Sequence, residues 1–239
     1  MNAEHDNYCI RGDYKARKTA ETIESCEGDY WTPSRIQLSL KYQYYVYQLA
    51  AALIASRDPG KRKVADVGCG YPFKASAYLD PVAESLLLYD QETMNAVIGR
   101  DFPHLQFQAI DLENPGDPIT AVDVVVCSDV IEHLLDPDPC LKMLTRMLAP
   151  DGVLILSTPE RDVLRGENCL TSHKPEHVRE WTKAEFADYL KSRNLTILDH
   201  GLAPEKKLST IGNLLLPIAS KLLKNRKWNG CQYVVCQTG

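Results

Sequence analysis

Two carboxylates and an imidazole stand close together in the segment SDVIEHLLDPD, as Asp129, Glu132 and His133. Positions i, i+3 and i+4 share one face if the segment makes a helical turn. An imidazole can take up a proton near neutral pH, so His133 is our first candidate for a general base, with Glu132 beside it. The segment therefore predicts proton-transfer chemistry, unless His133 only caps or packs the turn that follows.

The same three side chains also have the chemistry of metal ligands. Carboxylates and imidazole suit Mg²⁺, Mn²⁺ or Zn²⁺, provided that His173 or His177 supplies a further ligand from a later loop. Lys174 and Arg179 lie in that loop too, so its histidines either contact an acceptor or belong to a plain surface loop. We place His177 in the candidate catalytic group because it directly precedes the segment VREWT, and we predict no bound metal.

A glycine-containing turn follows an apolar run in the segment VADVGCGYPF, at Gly68, Cys69 and Gly70. Glycines between a strand and a helix let the backbone approach a ligand closely and leave amide groups pointing at it. Phe73 stands where a dinucleotide-binding turn has its third glycine, which allows tight packing of the following helix. The turn is therefore predicted to be wider than a dinucleotide turn and to hold a ligand without phosphates.

Two aspartates end the next two apolar runs, Asp90 in LLLYD and Asp111 in QAIDLENP. An acidic side chain at the end of the second strand can bind both hydroxyls of a ribose. Asp111 can accept a hydrogen bond from the exocyclic amine of a purine, or it can cap a helix or a turn. Asp90 is therefore a ribose-binding candidate, unless it is only a solvated residue at a strand end.

Apolar runs of strand length alternate with helix-length segments, which is typical of a parallel sheet with helices on both faces. The predicted strands are Lys63–Gly68, Ser85–Asp90, Leu105–Ile110, Val122–Cys127, Val153–Ser157 and Leu195–Asp199. The predicted helices are Lys74–Leu79, Glu92–Gly99, Pro139–Leu148 and Thr182–Arg193. Open α/β sheets bind ligands at the carboxyl ends of their strands, and His133 follows the fourth strand at that edge.

Residues 1–60 are expected to form an N-terminal helical extension, with one long helix at Ser34–Ala55. Residues 61–239 are expected to form the main domain, with a helical insertion at 203–229 before a last strand at Cys231–Cys236. A parallel seventh strand would need a further crossover helix, so this strand is predicted to be antiparallel near the sheet edge. The predicted fold class is α/β, with a Rossmann-like, seven-stranded, mostly parallel sheet.

Composition limits the partners of the chain. Its 239 residues, 44% of them apolar, fit one globular domain, and its net charge of -5 offers no overall footprint for nucleic acid. The sequence shows neither a signal core nor a membrane-spanning run, and its 8 cysteines form no readable disulfide framework. We therefore expect a cytoplasmic protein that binds neither nucleic acid nor membrane.

Four motifs together resemble those of the class I S-adenosylmethionine-dependent methyltransferases. They are VADVGCG, LLLYD, AIDLENP and VVVCSDVIEHLLDPD, and they match in order, spacing and strand context. The resemblance covers roughly residues 60 to 200 and implies a seven-stranded sheet whose last strand is antiparallel. Pro72 departs from the pattern, since many members of the family have a further glycine near that position.

The resemblance implies that S-adenosylmethionine is the cofactor and that residues at the strand ends contact it. The glycine turn faces its methionine part, Asp90 holds its ribose, and Asp111 with Leu112 contacts its adenine. The expected cofactor contacts are Asp66, Gly68, Cys69, Gly70, Asp90, Gln91, Asp111, Leu112, Ser128 and Asp129.

Three further segments, VIEHLLDPDP, LSTPE and HKPEHVREWTKAEF, are similar to methyltransferases of small molecules and sugars, including the ubiquinone-pathway O-methyltransferases. This similarity implies O-methylation of a small hydroxylated acceptor, such as a sugar or glycan precursor, with His133 removing the acceptor's proton. Three alternatives stay open. They are metal-assisted methylation of an RNA 2′-hydroxyl, binding of the cofactor without turnover, and a nicotinamide oxidoreductase.

Overall fold

The computed structural model describes residues 7–18, 33–117, 120–207 and 229–239, which form seven strands and six α-helices. The strands are β1 (Lys63–Val67), β2 (Ser85–Asp90), β3 (Gln106–Ala109), β4 (Val122–Ser128), β5 (Leu148–Pro159), β6 (Leu195–Ala203) and β7 (Cys231–Thr238). The α-helices are α1 (Pro33–Ser39), α2 (Tyr44–Ser56), α3 (Asn95–Asp101), α4 (Pro137–Arg146), α5 (Arg161–Arg165) and α6 (Lys183–Ser192). A π-helical turn covers Ala75–Leu79, and 3₁₀ turns cover Glu92–Met94 and Ile131–His133.

The strands form one sheet in the order β3-β2-β1-β4-β5-β7-β6. Strands β1 to β5 pair in parallel, whereas β7 lies antiparallel between β5 and β6. The predicted Rossmann-like α/β fold and its antiparallel last strand are confirmed. The strand order reverses between β1 and β4, so a crevice for a ligand is expected outside the carboxyl ends of these strands.

Strand β4 is buried along its whole length because apolar side chains cover both faces of the sheet. On one face, Val124 and Val126 belong to a cluster with Ile54 of α2 and Ile98 of α3. On the other face, Val125 belongs to a cluster with side chains of α4 and α6. Burying each such side chain stabilises the fold by roughly 1.5–3 kcal/mol. This packing fixes the end of β4, from which the candidate catalytic residues follow.

The predicted strands and helices correspond to observed elements whose ends differ by a few residues. Strand β5 begins at Leu148 rather than Val153, because Leu148 already pairs with Val122. Helix α6 begins as predicted, since Thr182 Oγ1 accepts from the N–H of Glu185 at 3.2 Å. The Glu185 carboxylate in turn accepts from the N–H of Thr182 at 2.9 Å, which completes a capping box.

The single long helix predicted at Ser34–Ala55 is wrong, because the chain breaks between α1 and α2. Gln43 has a left-handed φ of 58°, and its backbone N–H donates to the carbonyl of Glu205 at 3.3 Å. Its side chain donates to the carbonyl of Ser128 at 3.2 Å. These contacts replace helical hydrogen bonds and hold residues 40–43 against the carboxyl end of β4.

Residues 7–18 contain no helix, so the helical character expected of the N-terminal extension is wrong for this stretch. The stretch lies along the loop that precedes α6. Trp181 Nε1 donates to the carbonyl of Tyr8 at 3.0 Å, and the N–H of Glu180 donates to the hydroxyl of Tyr14 at 3.0 Å. Tyr14 is buried, so residues 7–18 pack closely against that loop.

Most of the helical insertion predicted at 203–229 lies outside the described residues. Residues 203–207 complete β6 and then pair with residues 41–43. None of the helices in the described ranges is long and apolar enough to cross a membrane.

Candidate active site

The glycine turn after β1 contacts the end of β2. The N–H groups of Gly68 and Cys69 both donate to the carbonyl of Tyr89, at 2.8 and 3.2 Å. Gly68 has a φ of +73°, and a Cβ at this position would clash with Val130 Cγ2. Gly70 also has a positive φ, of 54°. A side chain at Gly68 would be strained by both its backbone conformation and its neighbour, so the turn requires glycine there.

Asp90 ties this turn to the end of β2. One carboxylate oxygen accepts from the N–H of Gly70 at 2.7 Å, and the other accepts from the N–H of Gln91 at 2.8 Å. Burial raises the pKa of Asp90, and these two hydrogen bonds oppose the rise. Each carboxylate oxygen keeps a second lone pair, so Asp90 can still accept from two hydroxyl groups. Gln91 adds a buried Oε1 that has no hydrogen-bond partner among the described residues.

Asp66, near the end of β1, is fully buried and has one unsatisfied oxygen. Tyr47 donates its hydroxyl to Asp66 Oδ2 at 2.8 Å, whereas Oδ1 has no partner in the described part of the chain. Burial raises the pKa of Asp66 to about 7, although Tyr47 and Lys74 lower it. Burial also lowers the pKa of Lys74 to about 8, and its Nζ donates to the carbonyl of Ser39 at 3.0 Å. An orphaned carboxylate oxygen is costly, so Asp66 suits a ligand with an ammonium group.

Asp111 is exposed and forms a local turn. Its Oδ1 accepts from the N–H of Glu113 at 2.9 Å, and its Oδ2 accepts from Asn114 Nδ2 at 3.3 Å. This is the capping role that the sequence left open. Leu112 is half-buried against the main core cluster. The adenine contacts of Asp111 and Leu112 stay predictions.

Ser128 and Asp129 share a chain of hydrogen bonds with Ser157 of β5. The hydroxyls of Ser128 and Ser157 lie 2.7 Å apart, and Ser157 Oγ donates to Asp129 Oδ1 at 2.7 Å. A hydroxyl has one hydrogen to donate, so Ser128 must donate to Ser157. Asp129 has a left-handed φ of 53°. The chain of bonds therefore holds Asp129 at the end of β4, beside the 3₁₀ turn.

The 3₁₀ turn Ile131–His133 presents the predicted glutamate and histidine. Glu132 is fully buried, and its Oε2 accepts from Thr158 Oγ1 at 3.0 Å, whereas Oε1 has no partner in the described ranges. Burial, followed by the charge of Asp129, raises the pKa of Glu132 well above its usual value. His133 Nδ1 lies 2.9 Å from the carbonyl oxygen of Glu176. Because a carbonyl only accepts, Nδ1 carries the hydrogen and Nε2 is the acceptor.

His177 joins this group, and His173 does not. The rings of His133 and His177 lie edge to face with their centres 4.7 Å apart. His177 is buried, whereas His173 is exposed. One ligand atom from each of Glu132, His133 and His177 lies within 4.8 Å of the other two. Asp129, the third member of the predicted acidic group, bonds to Ser157 instead.

Glu180 is a positioning residue that sequence reasoning missed. Its carboxylate lies 2.7 Å from His177 Nδ1 and accepts two hydrogen bonds from Arg165 at 3.0 and 3.1 Å. Burial raises the pKa of Glu180, but the bonds from His177 and Arg165 outweigh it and lower the pKa to about 2. The ionised carboxylate therefore fixes the hydrogen on His177 Nδ1 and leaves Nε2 as the acceptor. A carboxylate three residues after a histidine was the only signal in the sequence.

Glu180→Gln is expected to lower the free energy of unfolding at pH 7 by about 3 kcal/mol, because it removes the buried charge that pairs with the half-buried Arg165. The pKa of Glu180 is lowered from 4.5 to about 2 in the folded chain. Its stabilisation is therefore complete above pH 4.5 and is lost as the pH falls towards 2. Urea unfolding of both proteins at several pH values measures the difference.

The exposed Glu84→Gln is the matched control and should leave the free energy of unfolding unchanged at every pH. If Glu180→Gln is as stable as the parent protein at pH 7, the ionised, paired state assigned to Glu180 is wrong.

Residues 40–200 match the family described as a methyltransferase domain. A probable S-adenosylmethionine-dependent methyltransferase of Mycolicibacterium smegmatis is 33% identical over 155 residues, which are 64% of this chain and 58% of that protein. A ubiquinone biosynthesis O-methyltransferase of Haemophilus ducreyi is 27% identical over 137 residues, which are 51% of this chain and 58% of that protein. The chain therefore spans less than two thirds of the length of these relatives.

Solved structures share the fold at low sequence identity. An S-adenosylmethionine-dependent methyltransferase from Mesorhizobium loti has a TM-score of 0.59 at 15% identity, covering 80% of this chain and 97% of that one. Another from Clostridium acetobutylicum has a TM-score of 0.59 at 14% identity, covering 85% and 94%. The family match extends over more than half of the sequence. The chain therefore belongs to the methyltransferase-domain family and has the class I fold of the S-adenosylmethionine-dependent methyltransferases.

Proposed function

We propose that the protein transfers a methyl group from S-adenosylmethionine to a hydroxyl group of a small acceptor, such as a sugar or a glycan precursor. The observation that carries the proposal is the pair of imidazoles of His133, after β4, and His177, in the loop before α6, whose ring centres lie 4.7 Å apart. Strand β4 pairs with β1, which leads into the glycine turn. The ubiquinone relatives, which are named O-methyltransferases, support an oxygen atom as the acceptor.

Several buried polar atoms fit S-adenosylmethionine. Asp66 Oδ1, which lacks a described partner, suits the ammonium group of the methionine part. Asp90 has two carboxylate oxygens for the two ribose hydroxyls. The proposed cofactor contacts are Asp66, Gly68, Cys69, Gly70, Asp90, Gln91, Asp111, Leu112, Ser128 and Asp129.

His133 is proposed to take the proton that the acceptor hydroxyl loses. Burial and the neighbouring His177 lower the pKa of His133 to about 4, so the ring is uncharged near neutral pH and can accept a proton at Nε2. When bound, S-adenosylmethionine would supply the methyl group from its sulfonium sulfur, and that C–S bond would break as the O–C bond forms. The hydroxyl proton becomes strongly acidic as its oxygen gains the methyl group, so a base as weak as His133 suffices. Orientation of the acceptor can contribute roughly 7–11 kcal/mol to lowering the barrier.

The proposal is tested by incubating the full chain with S-adenosylmethionine carrying a ¹³C methyl group and a panel of sugars, sugar phosphates and phenols. The expected product is a methyl ether, which NMR distinguishes from methyl groups on nitrogen, sulfur or carbon. A methyl group on any of those other atoms contradicts the proposal. Cofactor binding without transfer to any acceptor would instead indicate a binding protein, and salt-sensitive binding of RNA would indicate a nucleic-acid substrate.

A metal-assisted form of this chemistry is a second candidate, which the cluster of Glu132, His133 and His177 favours. The Nδ1 atoms of the two histidines already bond to Glu176 and Glu180, as metal-binding histidines commonly bond to a carbonyl or a carboxylate. The remaining oxygen of Glu132 has no partner in the described part of the chain. These side chains fit Mg²⁺, Mn²⁺ or Zn²⁺, which would bind the acceptor oxygen and lower its pKa.

Titration with Mn²⁺ separates the two forms. In the metal-assisted form, the protein binds one Mn²⁺ per chain, and Glu180→Gln weakens this binding roughly 10- to 100-fold. Chelation by EDTA then abolishes methyl transfer, and added Mn²⁺ restores it. In the form that uses His133 as the base, EDTA leaves the rate unchanged. Calorimetry and rate measurements on the same samples decide between them.

A further inference from the structure

A cap crosses the carboxyl end of β4 next to the histidine pair. It consists of residues 40–43, between α1 and α2, and residues 205–207, after β6, and we call it the linker cap. Tyr42 and Lys206 pair as in an antiparallel ladder, and a side chain of the cap donates to the carbonyl of Ser128 at 3.2 Å. The linker cap is therefore fixed to the residue that precedes Asp129.

Two lysines lie against one tyrosine of the linker cap. Lys206 Nζ lies 4.9 Å from the centre of the Tyr42 ring, and Lys174 Nζ, from the loop before α6, lies 6.0 Å from it. The face of an aromatic ring attracts an ammonium group but has no net charge, so both positive charges persist. Within the described residues, neither lysine forms an ion pair with a carboxylate.

The linker cap as a whole is positive. Its seven residues include Lys41, Lys206 and Lys207 against the single carboxylate of Glu205. Lys207 repeats the arrangement, since its Nζ lies 4.3 Å from the centre of the Tyr44 ring. The cap therefore attracts anions to the edge of the candidate active site.

Lys174 belongs to the loop before α6, which contains His177 and bonds to His133 through Glu176. Its carbonyl accepts from the N–H of His177 at 3.2 Å, and the carbonyl of Glu176 accepts from His133 Nδ1 at 2.9 Å. The loop that carries Lys174 thus also fixes both imidazole rings of the candidate active site.

We infer that the methyl acceptor carries an oxyanion, a phosphate or a carboxylate, which Lys174 and Lys206 bind next to Tyr42. Ammonium groups are compact charges with three donors, so two of them favour an oxyanion over a neutral hydroxyl. An oxyanion bound there limits which hydroxyl of the acceptor can reach His133. Only hydroxyls that lie close to the oxyanion in the acceptor molecule can do so. This inference rests on the proposed function, because it describes the substrate of the same site.

The test is calorimetric titration of the full chain, saturated with S-adenosylhomocysteine, at constant ionic strength. The probes are inorganic pyrophosphate, glucuronate and glucose. The parent protein is expected to bind at least one of the two anions saturably and glucose much more weakly. Lys174→Met combined with Lys206→Met should weaken anion binding by at least about tenfold, since two charged hydrogen-bond donors are lost. Methionine keeps most of the apolar stem of lysine, so packing on Tyr42 is preserved.

Lys142→Met, an exposed lysine on α4, is the matched control and should leave anion binding unchanged. Tighter pyrophosphate binding assigns a phosphate to the acceptor, and tighter glucuronate binding assigns a carboxylate; either supports the inference. Absence of saturable anion binding, or equal anion affinity in the double variant, overturns it. Each sample is also titrated with S-adenosylhomocysteine, whose failure to bind the parent would contradict the proposed function itself. The single variants replace the double variant if that one loses cofactor binding.

Discussion

His133→Ala is expected to slow methyl transfer by roughly 10²- to 10⁴-fold, which is the usual contribution of a positioned base. The affinity for S-adenosylhomocysteine should stay unchanged, because no described contact links His133 to the glycine turn or to Asp90. The pKa of His133 is lowered to about 4, so the parent rate should be level from pH 8 to about 5 and fall below that as the ring gains a proton. Single-turnover rates and calorimetry measure both effects.

His104→Ala is the control for this experiment, since His104 is exposed and its ring contacts Ser76, which belongs neither to the histidine pair nor to the proposed cofactor contacts. It should leave both the rate and the cofactor affinity unchanged. Turnover of His133→Ala at the parent rate would remove His133 from the role of base.

Asp90→Ala should weaken S-adenosylhomocysteine binding by roughly 10²- to 10⁴-fold, because the two hydrogen bonds that we propose between ribose hydroxyls and this charged group would be lost. The variant also loses the bonds that hold the N–H groups of Gly70 and Gln91, so the turn itself is less well fixed. Asp90→Asn keeps the shape and one acceptor, and its affinity should fall between the two. Calorimetric titration measures all three proteins.

Glu92→Gln, an exposed change just after Asp90, is the control and should bind like the parent. An unchanged affinity in a folded Asp90→Ala variant would show that the ribose is held elsewhere.

The sheet was predictable because its strands carry their own signals. Strand β4 is a nearly continuous apolar run, as expected for a parallel strand buried on both faces, and β2 ends at Asp90 as predicted. The antiparallel seventh strand was predicted from connectivity, since a parallel strand after the insertion predicted at 203–229 would need a further crossover helix. Regular strands and helices can thus be predicted from the residue types and the hydrophobic period of their own segments.

The break between α1 and α2 could not be predicted in the same way. Residues 40–43 contain neither glycine nor proline, and Gln43 leaves the helix to bond with Glu205 and Ser128, which are distant in the sequence. Contacts of this kind override local propensity and have no local signature.

The candidate site was predictable only in part. The place of His133 in the fold could be predicted, because it lies in the short turn that follows β4; its role as a base stays a prediction. His173 and His177 looked equivalent in sequence, and only the folded loop buries one of them and exposes the other. Glu180 bonds to both His177 and Arg165. These bonds form because α5, which carries Arg165, contacts the irregular loop before α6, and no periodic sequence pattern predicts such a contact.

The most direct test is calorimetric titration of the purified protein with S-adenosylhomocysteine, with NAD as the control ligand. It tests whether the glycine turn and Asp90 bind S-adenosylmethionine, as we propose. Micromolar binding of S-adenosylhomocysteine alone is expected, because the turn after β1 has Phe73 in place of the third glycine of a dinucleotide site. Absence of that binding, or binding of NAD in its place, would contradict the proposed function.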